Sequence, residues 1–81
     1  MSRSIFKLTE FQINSTGVDG GHFYVIAEVE YQARSRKLVV YFKDKSDERK
    51  LHGLDEMIVE GNLIDDSNQY SLNLLNSILI D

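Results

Sequence analysis

The stretch that decides the fold is LDEMIVEGNLIDDSNQYSLNLLNSILID, residues Leu54 to Asp81, because it predicts two β-strands joined by a polar turn. In its first half, apolar residues alternate with polar ones, as in a strand that has one buried face. The residues predicted to point inward are Met57, Val59 and Leu63, with Gly61 in the same phase at a position where a strand can bend sharply.

The second half of this stretch follows the sequence DDSN, which is typical of a turn. The returning strand, QYSLNLLNSILI, again has apolar residues in one phase. We expect the inward side chains to be those of Tyr70, Leu72 and Leu74, and the same phase to continue to Ile78 and Ile80.

A period of two also dominates the first half of the chain. In HFYVIAEVEYQA one face carries Phe23, Val25, Ala27, Val29 and Tyr31, and the other carries Tyr24, Ile26, Glu28, Glu30 and Gln32. After a short turn predicted around Arg34, Ser35 and Arg36, the segment KLVVYFK alternates Leu38, Val40 and Phe42 with Lys37, Val39, Tyr41 and Lys43. The opening segment SIFKLTEFQINS is a further strand, and its change of apolar phase predicts a bulge near Thr9 and Glu10.

The segment KSDERKLHGL is the one predicted helix. Ser46 can cap its first turn, and Asp47 and Glu48 are acidic residues suited to that turn. Gly53 is a typical helix stop, with the positive φ that glycine adopts there. A helix of about two turns needs tertiary packing, which we expect from Leu51 and Leu54. A turn-rich loop is the alternative.

Composition limits the classes of protein to consider. The chain has 81 residues, of which 42% are hydrophobic, so we expect a single domain, residues 1–81, with one core. It has no cysteine, no signal-peptide-like apolar run and no stretch of membrane-spanning length. We therefore expect a cytoplasmic protein with no membrane partner. The net charge of −4, from 13 acidic and 9 basic residues, disfavours binding of nucleic acid unless the cations are clustered.

The order of the elements is three strands, a short helix and two strands, which resembles the OB-fold, a small Greek-key barrel. The segment GLDEMIVEGNL followed by YSLNLLNSILI is similar to the fourth and fifth strands of many OB domains, in which an acidic turn precedes V-x-G-x-L. The resemblance is to a fold and not to a particular family. It implies an all-β, five-stranded antiparallel barrel with one short helix between the third and fourth strands. An SH3-like barrel and an open five-stranded meander are the alternatives.

Residues for catalysis or metal binding do not form a recognisable pattern. His22 and His52 are the only histidines, and no Ser/His/Asp or Glu/His grouping has local support in the sequence. The acidic groups lack the ligand spacing of a calcium loop, and GVDGG lacks the lysine and the helix of a phosphate-binding loop. We expect a non-enzymatic protein without a cofactor or metal.

The resemblance implies weak binding of single-stranded DNA or RNA on the second and third strands, where aromatic residues stack on bases and cations contact phosphates. The residues predicted to do so are Tyr24, Arg34, Arg36, Lys37, Tyr41 and Lys43. In a purely structural interpretation, the two tyrosines stabilise the sheet as cross-strand neighbours and the cations keep an edge soluble. Four acidic residues oppose binding. Glu28 and Glu30 lie on the face of Tyr24, and Asp65 and Asp66 lie in the turn between the fourth and fifth predicted strands, which usually borders an OB groove.

Binding to a protein is the alternative function. A face with Tyr24, Ile26, Val39 and Tyr41 ringed by charges of both signs is typical of a protein interface, and the last strand could instead pair with a partner's sheet edge. Such a domain could be an accessory subunit, an inhibitor or a homo-oligomer. Neither the ligand nor the oligomeric state is specified by the sequence.

Overall fold

The computed structural model describes residues 3–16, 21–66 and 71–80, and in these residues six strands form one curled mixed sheet. The strands are β1 (Arg3–Leu8), β2 (Phe11–Ser15), β3 (Phe23–Tyr31), β4 (Arg34–Phe42), β5 (Met57–Asp66) and β6 (Ser71–Ile80). A short helix, α1 (Lys45–Lys50), is followed by a 3₁₀ turn (Leu51–Gly53). Neither helical segment in the described ranges is long and apolar enough to cross a membrane.

The strand order across the sheet is β1-β5-β6-β4-β3-β2, and each neighbouring pair is antiparallel except β4 and β6. The expectation of a mostly β structure with one short helix is confirmed, but five antiparallel strands is not exact, since there are six strands and one neighbouring pair is parallel. The connection through α1 and β5 returns the chain so that β6 runs beside β4 in the same direction, as a crossover connection between parallel strands requires.

The sixth strand results from a break in the first predicted one. The strand stops at Leu8 and resumes at Phe11, so the irregularity predicted near Thr9 and Glu10 divides it in two. Its two halves form the opposite edges of the sheet, since β1 pairs with β5 and β2 pairs with β3. Because only Thr9 and Glu10 separate these two edge strands in the chain, the sheet curls towards itself. This arrangement is compatible with an OB-like barrel.

The core lies on the inner face of the curled sheet, where the predicted phases of β3, β4 and β5 are confirmed. Its buried apolar residues are Leu8, Val25, Ala27, Leu38, Val40, Leu51, Met57, Val59, Leu72 and Leu74. Gly61 is buried, in the inward phase predicted for it, at the point where β5 changes register against β6.

The predicted phase of the last strand is wrong after Leu74. Asn76 has a φ of 52°, and the register against both neighbouring strands shifts in this region. The irregularity moves the inward positions by one residue, so that Ser77 is fully buried and Leu79 packs against the core. Ile78 and Ile80 accordingly lie on the other face. Asp65 and Asp66 of the predicted turn DDSN belong to β5. The other two residues of that turn, Ser67 and Asn68, lie outside the described residues, and so does Tyr70, also predicted to point inward.

The turn between β3 and β4 consists of Gln32 and Ala33, with φ values of 52° and 62°. The turn predicted around Arg34, Ser35 and Arg36 is therefore misplaced, and all three residues belong to β4. A two-residue connection with positive φ at both positions matches the right-handed twist of the adjoining strands, and this favours a tight hairpin over a longer loop.

The predicted helix is confirmed, but its expected start and stop signals are not. Asp44 occupies the N-cap position and makes no side-chain cap bond, so Ser46 lies inside the helix and is not its cap. The φ of Gly53 is outside the left-handed region. Leu51 is fully buried as expected, whereas Leu54 is exposed, because the chain is already extended at that residue.

Candidate functional site

Two tyrosines face each other across the outer surface of β3 and β4. Tyr24 is paired in register with Tyr41, and their rings stack with centroids 5.7 Å apart and planes inclined by 26°. Tyr41 keeps 42% of its surface exposed. We call the surface formed by Tyr24, Ile26, Val39 and Tyr41 the tyrosine face. The tyrosines are thus cross-strand neighbours, as the structural interpretation expects, and they also present an aromatic surface to solvent.

The aliphatic part of the tyrosine face is less accessible than the sequence predicts. Ile26 and Val39 are register partners on β3 and β4, and Val39 is also paired with Asn73 on β6. With neighbouring strands on both sides, Val39 is buried. Tyr41 is therefore the most exposed anchor of this face.

Of the four predicted cations, only two share the phase of Tyr41. Lys37 lies in β4 and Lys43 directly follows it, and both side chains are exposed. In the part of the chain that the structure describes, neither lysine has an ion-pair partner. They remain available to an anionic ligand that lies on the tyrosine face.

Arg34 and Arg36 are not part of this arrangement. They occupy β4 positions of the opposite phase, together with the buried Leu38. The Arg36 guanidinium also forms an ion pair with Asp65, with Nη2 2.7 Å from Oδ1. Both arginines were expected beside the tyrosines because a turn was predicted at residues 34–36, where the structure has the start of β4.

The predicted acidic residues around this face have different surroundings. Glu28 is the register partner of Lys37 and accepts a hydrogen bond from the Ser35 hydroxyl. The Asp65 charge is offset by Arg36, which weakens the repulsion expected from that residue. The side chain of Asp66 lies outside the described residues.

A pocket of about 270 Å³ opens beside the tyrosine pair. Its lining residues are Thr16, His22, Phe23, Tyr24, Tyr41, Phe42 and Glu48. A larger groove of about 560 Å³ runs along β2, β3 and β4, and among its lining residues are Gln12, Ile26, Glu28 and Lys37. The tyrosine face therefore has concave surface on two sides.

The chemistry of the smaller pocket comes from a histidine and a buried glutamate. Glu48 in α1 is 3% exposed, and its Oε1 accepts the backbone N–H of Phe23 at 2.7 Å. Its Oε2 lies 3.1 Å from Nδ1 of His22. The two side chains are brought together because the first turn of α1 packs over the start of β3.

This pair is the feature that sequence reasoning missed. His22 and Glu48 are 26 residues apart, and neither has a local motif that announces the other. The sequence carries no signal for this contact, because the helix dipole alone explains an acidic residue in the first turn of a helix. The second histidine is explained by packing, because the ring of His52 meets that of Phe23 edge-on with centroids 4.9 Å apart.

Metal binding has no support within the described ranges, where no three His, Asp or Glu side chains form a group that could hold an ion.

No family model matches this chain, and neither does any curated protein. Its function can be inferred only from the residues themselves.

Proposed function

We propose that this protein is a non-enzymatic OB-type domain that binds single-stranded nucleic acid weakly on its tyrosine face. The observation that carries the proposal is the exposed Tyr41, stacked on Tyr24 and flanked in its own phase by Lys37 and Lys43, which form no ion pair with the described residues. Aromatic rings on which bases stack, with cations within reach of the backbone phosphates, are the elements of sequence-tolerant single-strand binding.

The strand connections support the OB-type assignment. If β1 and β2 are counted as the halves of one bent strand, the chain has five strands with a helix after the third. Its order then follows a small Greek-key barrel in which the bent strand contacts both β3 and β5. In OB domains the second and third strands form the ligand surface, and these correspond to β3 and β4. Fold analogy alone does not establish a function, so the proposal also depends on the residues of the face.

The charges of the face predict weak binding that depends strongly on salt. Two lysines offer contacts to phosphates, while Glu28 and Glu30 lie in the phase of Tyr24. The affinity should fall steeply as salt rises, because most of it comes from the release of counterions. The ion pair of Arg36 with Asp65 moderates the repulsion at that end of β5.

The test is a titration of isotopically labelled protein with single-stranded DNA and RNA, monitored residue by residue by NMR. We expect shifts within residues 24–43 at about 20 mM salt, where the screening length is about 20 Å. Tyr41→Ala should lose about 1–3 kcal/mol of binding free energy with little dependence on base identity. Lys37→Gln should weaken all sequences alike. Absence of shifts at low salt would overturn the proposal.

Lys7→Gln provides the matched control. Lys7 is an exposed lysine on β1 that forms no ion pair within the described residues, and β5 and β6 separate its strand from β4 in the sheet. The substitution makes the same change in net charge as Lys37→Gln. Equal losses of affinity in the two variants would mean that nucleic acid responds to overall charge and not to this face.

Protein binding is the second candidate, and it is favoured by the exposed isoleucines. Ile5 on β1 is 62% exposed, and Ile58 and Ile64 on β5 are also exposed. Exposed apolar side chains that adjoin one another favour an interaction surface, and Ile5 and Ile58 occupy diagonal positions of the β1–β5 pair. For a protein partner on the tyrosine face, Tyr41→Ala would again weaken binding. Lys37→Gln would then alter the association rate more than the affinity, as substitution of a rim charge does.

A further inference from the structure

His22 is held in one orientation while its outer edge stays accessible. Its side chain is 70% exposed, whereas that of Glu48, its partner, is 4% exposed. The main chain of His22 is also fixed, since its carbonyl accepts the Thr16 backbone N–H at 2.8 Å and the Thr16 hydroxyl at 3.3 Å. With its carbonyl and its Nδ1 both in hydrogen-bond contact, His22 lines the pocket beside the tyrosine pair.

The contacts of Glu48 determine which ring nitrogen of His22 carries the proton. One carboxylate oxygen accepts the Phe23 N–H and the other faces Nδ1 at 3.1 Å. A carboxylate only accepts hydrogen bonds, so Nδ1 is the donor. In a neutral imidazole, a proton on Nδ1 leaves Nε2 with a free lone pair. In that form His22 presents a hydrogen-bond acceptor to the pocket.

An acceptor at this position distinguishes between the two kinds of nucleic acid. Phosphate oxygens are acceptors and cannot donate to Nε2, and the deoxyribose of DNA has no hydroxyl at the 2′ position. The ribose of RNA has a 2′-hydroxyl that can donate, and this group is what allows a protein to distinguish RNA from DNA at a given site. We infer that Nε2 of His22 accepts a hydrogen bond from a ribose 2′-hydroxyl, so that the tyrosine face selects RNA over DNA.

This inference rests on the proposed function but concerns a different residue and a different atom. Tyr41 and Lys37 contribute stacking and charge, which both nucleic acids satisfy. His22 adds a contact that only ribose can make. The donors on base edges also fit an acceptor, but they differ from base to base, whereas every ribonucleotide has the 2′-hydroxyl. Selection through His22 should therefore be the same for uridine and adenosine oligomers.

The tautomer can be tested without any ligand. Long-range ¹H–¹⁵N correlation spectra of the free protein at neutral pH should show the proton of His22 on Nδ1. His52 provides an internal reference, because its ring packs against Phe23 and hydrogen-bonds to no carboxylate in the described part of the chain. A proton on Nε2 of His22, alone or together with one on Nδ1, would overturn the inference.

The selectivity is tested with three oligomers of about eight nucleotides, a length within the site size of one OB barrel. These are oligouridylate, oligodeoxyuridylate and 2′-O-methyl oligouridylate, titrated at low salt, with oligoadenylate as a check on base dependence. The wild-type protein should bind the ribose form about three- to tenfold more tightly than the deoxy form, as expected for one added hydrogen bond. The methylated oligomer, which has no 2′ donor, should bind like the deoxy form.

His22→Asn is the decisive variant. Asparagine can still donate to Glu48 but has no atom at the position of Nε2, and the exposure of residue 22 makes the change compatible with folding. We expect this variant to lose the preference for RNA and to keep its affinity for DNA. His52→Asn, the matched control, should retain the preference.

The outcomes separate this inference from the proposed function. Equal binding of ribose and deoxy oligomers by the wild-type protein overturns the inference and leaves the proposed function intact. The inference is also overturned if the methylated oligomer binds like RNA, or if the preference is confined to one base. Failure to bind any oligomer overturns both.

Discussion

The side-chain carboxylate of Glu48 accepts the backbone N–H of Phe23 at 2.7 Å, and this bond joins α1 to the first residue of β3. The neighbouring acidic residue has a corresponding contact, since Asp47 Oδ2 accepts the Leu79 N–H of β6 at 3.3 Å. The acidic first turn of the helix thus binds two strands of the sheet. These contacts explain how a helix of six residues without a side-chain cap persists.

Glu48→Ala should lower the free energy of unfolding by about 1–3 kcal/mol, because the Phe23 N–H then lacks its acceptor. Urea denaturation measures the change. Glu56→Ala is the control, since Glu56 is exposed and has no partner within the described residues. It should change stability by at most about 0.5 kcal/mol. Similar losses in the two variants would contradict a structural role for Glu48.

Much of the fold could be predicted because burial follows the alternation of apolar residues. Val25 and Val40 point inward as their phases indicate, and the break after Leu8 is announced by a change of phase. The change of phase in β6 could not be predicted in this way. The predicted inward phase passes through the polar Asn76 to reach Ile78, while Leu75 and Leu79 are apolar residues of the other phase, so alternation alone does not show which residues turn inward. The register against the two neighbouring strands decides this.

Val59 and Ile58 test the phase of β5 at adjacent positions. Val59 is fully buried, whereas Ile58 is exposed on the outer face. Val59→Ala should destabilise the protein by about 1–3 kcal/mol, because it leaves a cavity in the core. Ile58→Ala removes more atoms but should cost less than about 1 kcal/mol, since its side chain is already in contact with water. Thermal and urea unfolding measure the stability of both variants. A larger loss for Ile58→Ala than for Val59→Ala would mean that the phase assigned to β5 is wrong.

Gly61→Ala tests the close approach of β5 and β6. A Cβ atom at this position would lie 2.5 Å from the Ser77 hydroxyl oxygen and 2.8 Å from the Leu75 carbonyl oxygen. The side chain can move but the backbone carbonyl cannot, so we expect a loss of about 1–3 kcal/mol in unfolding free energy. Adding Ser77→Ala to the Gly61→Ala variant should restore only part of the lost unfolding free energy. Gly53→Ala, which meets no atom within 4 Å, is the control and should be nearly neutral.

Ala33→Gly should stabilise the hairpin between β3 and β4. Ala33 has a φ of 62°, a left-handed conformation that costs a residue with a Cβ about 1–2 kcal/mol. Glycine removes this cost but gains entropy in the unfolded chain, so we expect a net gain of about 0.5–1 kcal/mol. Ala33→Val should destabilise instead, because a β-branched side chain is poorly tolerated at positive φ. A higher melting temperature for the valine variant would be incompatible with this turn.

The candidate site was predictable where it depends on strand phase and not where it depends on distant contacts. Alternation places Tyr24 and Tyr41 on one face, and the structure stacks their rings. The contact of His22 with Glu48 required the path of the chain between them, which no local pattern encodes. The two arginines were misplaced for a related reason, since the position of a hairpin turn depends on backbone angles at Gln32 and Ala33.

Arg36 and Lys37 are neighbours in the chain that should affect different properties. Arg36 forms the ion pair with Asp65, with 18% and 44% of the two side chains exposed, so water screens the pair only partly. Arg36→Gln should therefore cost up to about 1 kcal/mol of stability and leave the salt dependence of oligonucleotide binding unchanged. Lys37→Gln should leave stability unchanged and lower the slope of log affinity against log salt by about one. Binding isotherms of both variants at several salt concentrations, with urea unfolding of each, measure the two effects. If Arg36→Gln lowered the slope as much as Lys37→Gln, the ligand would contact both faces of β4, and binding could not be confined to the tyrosine face.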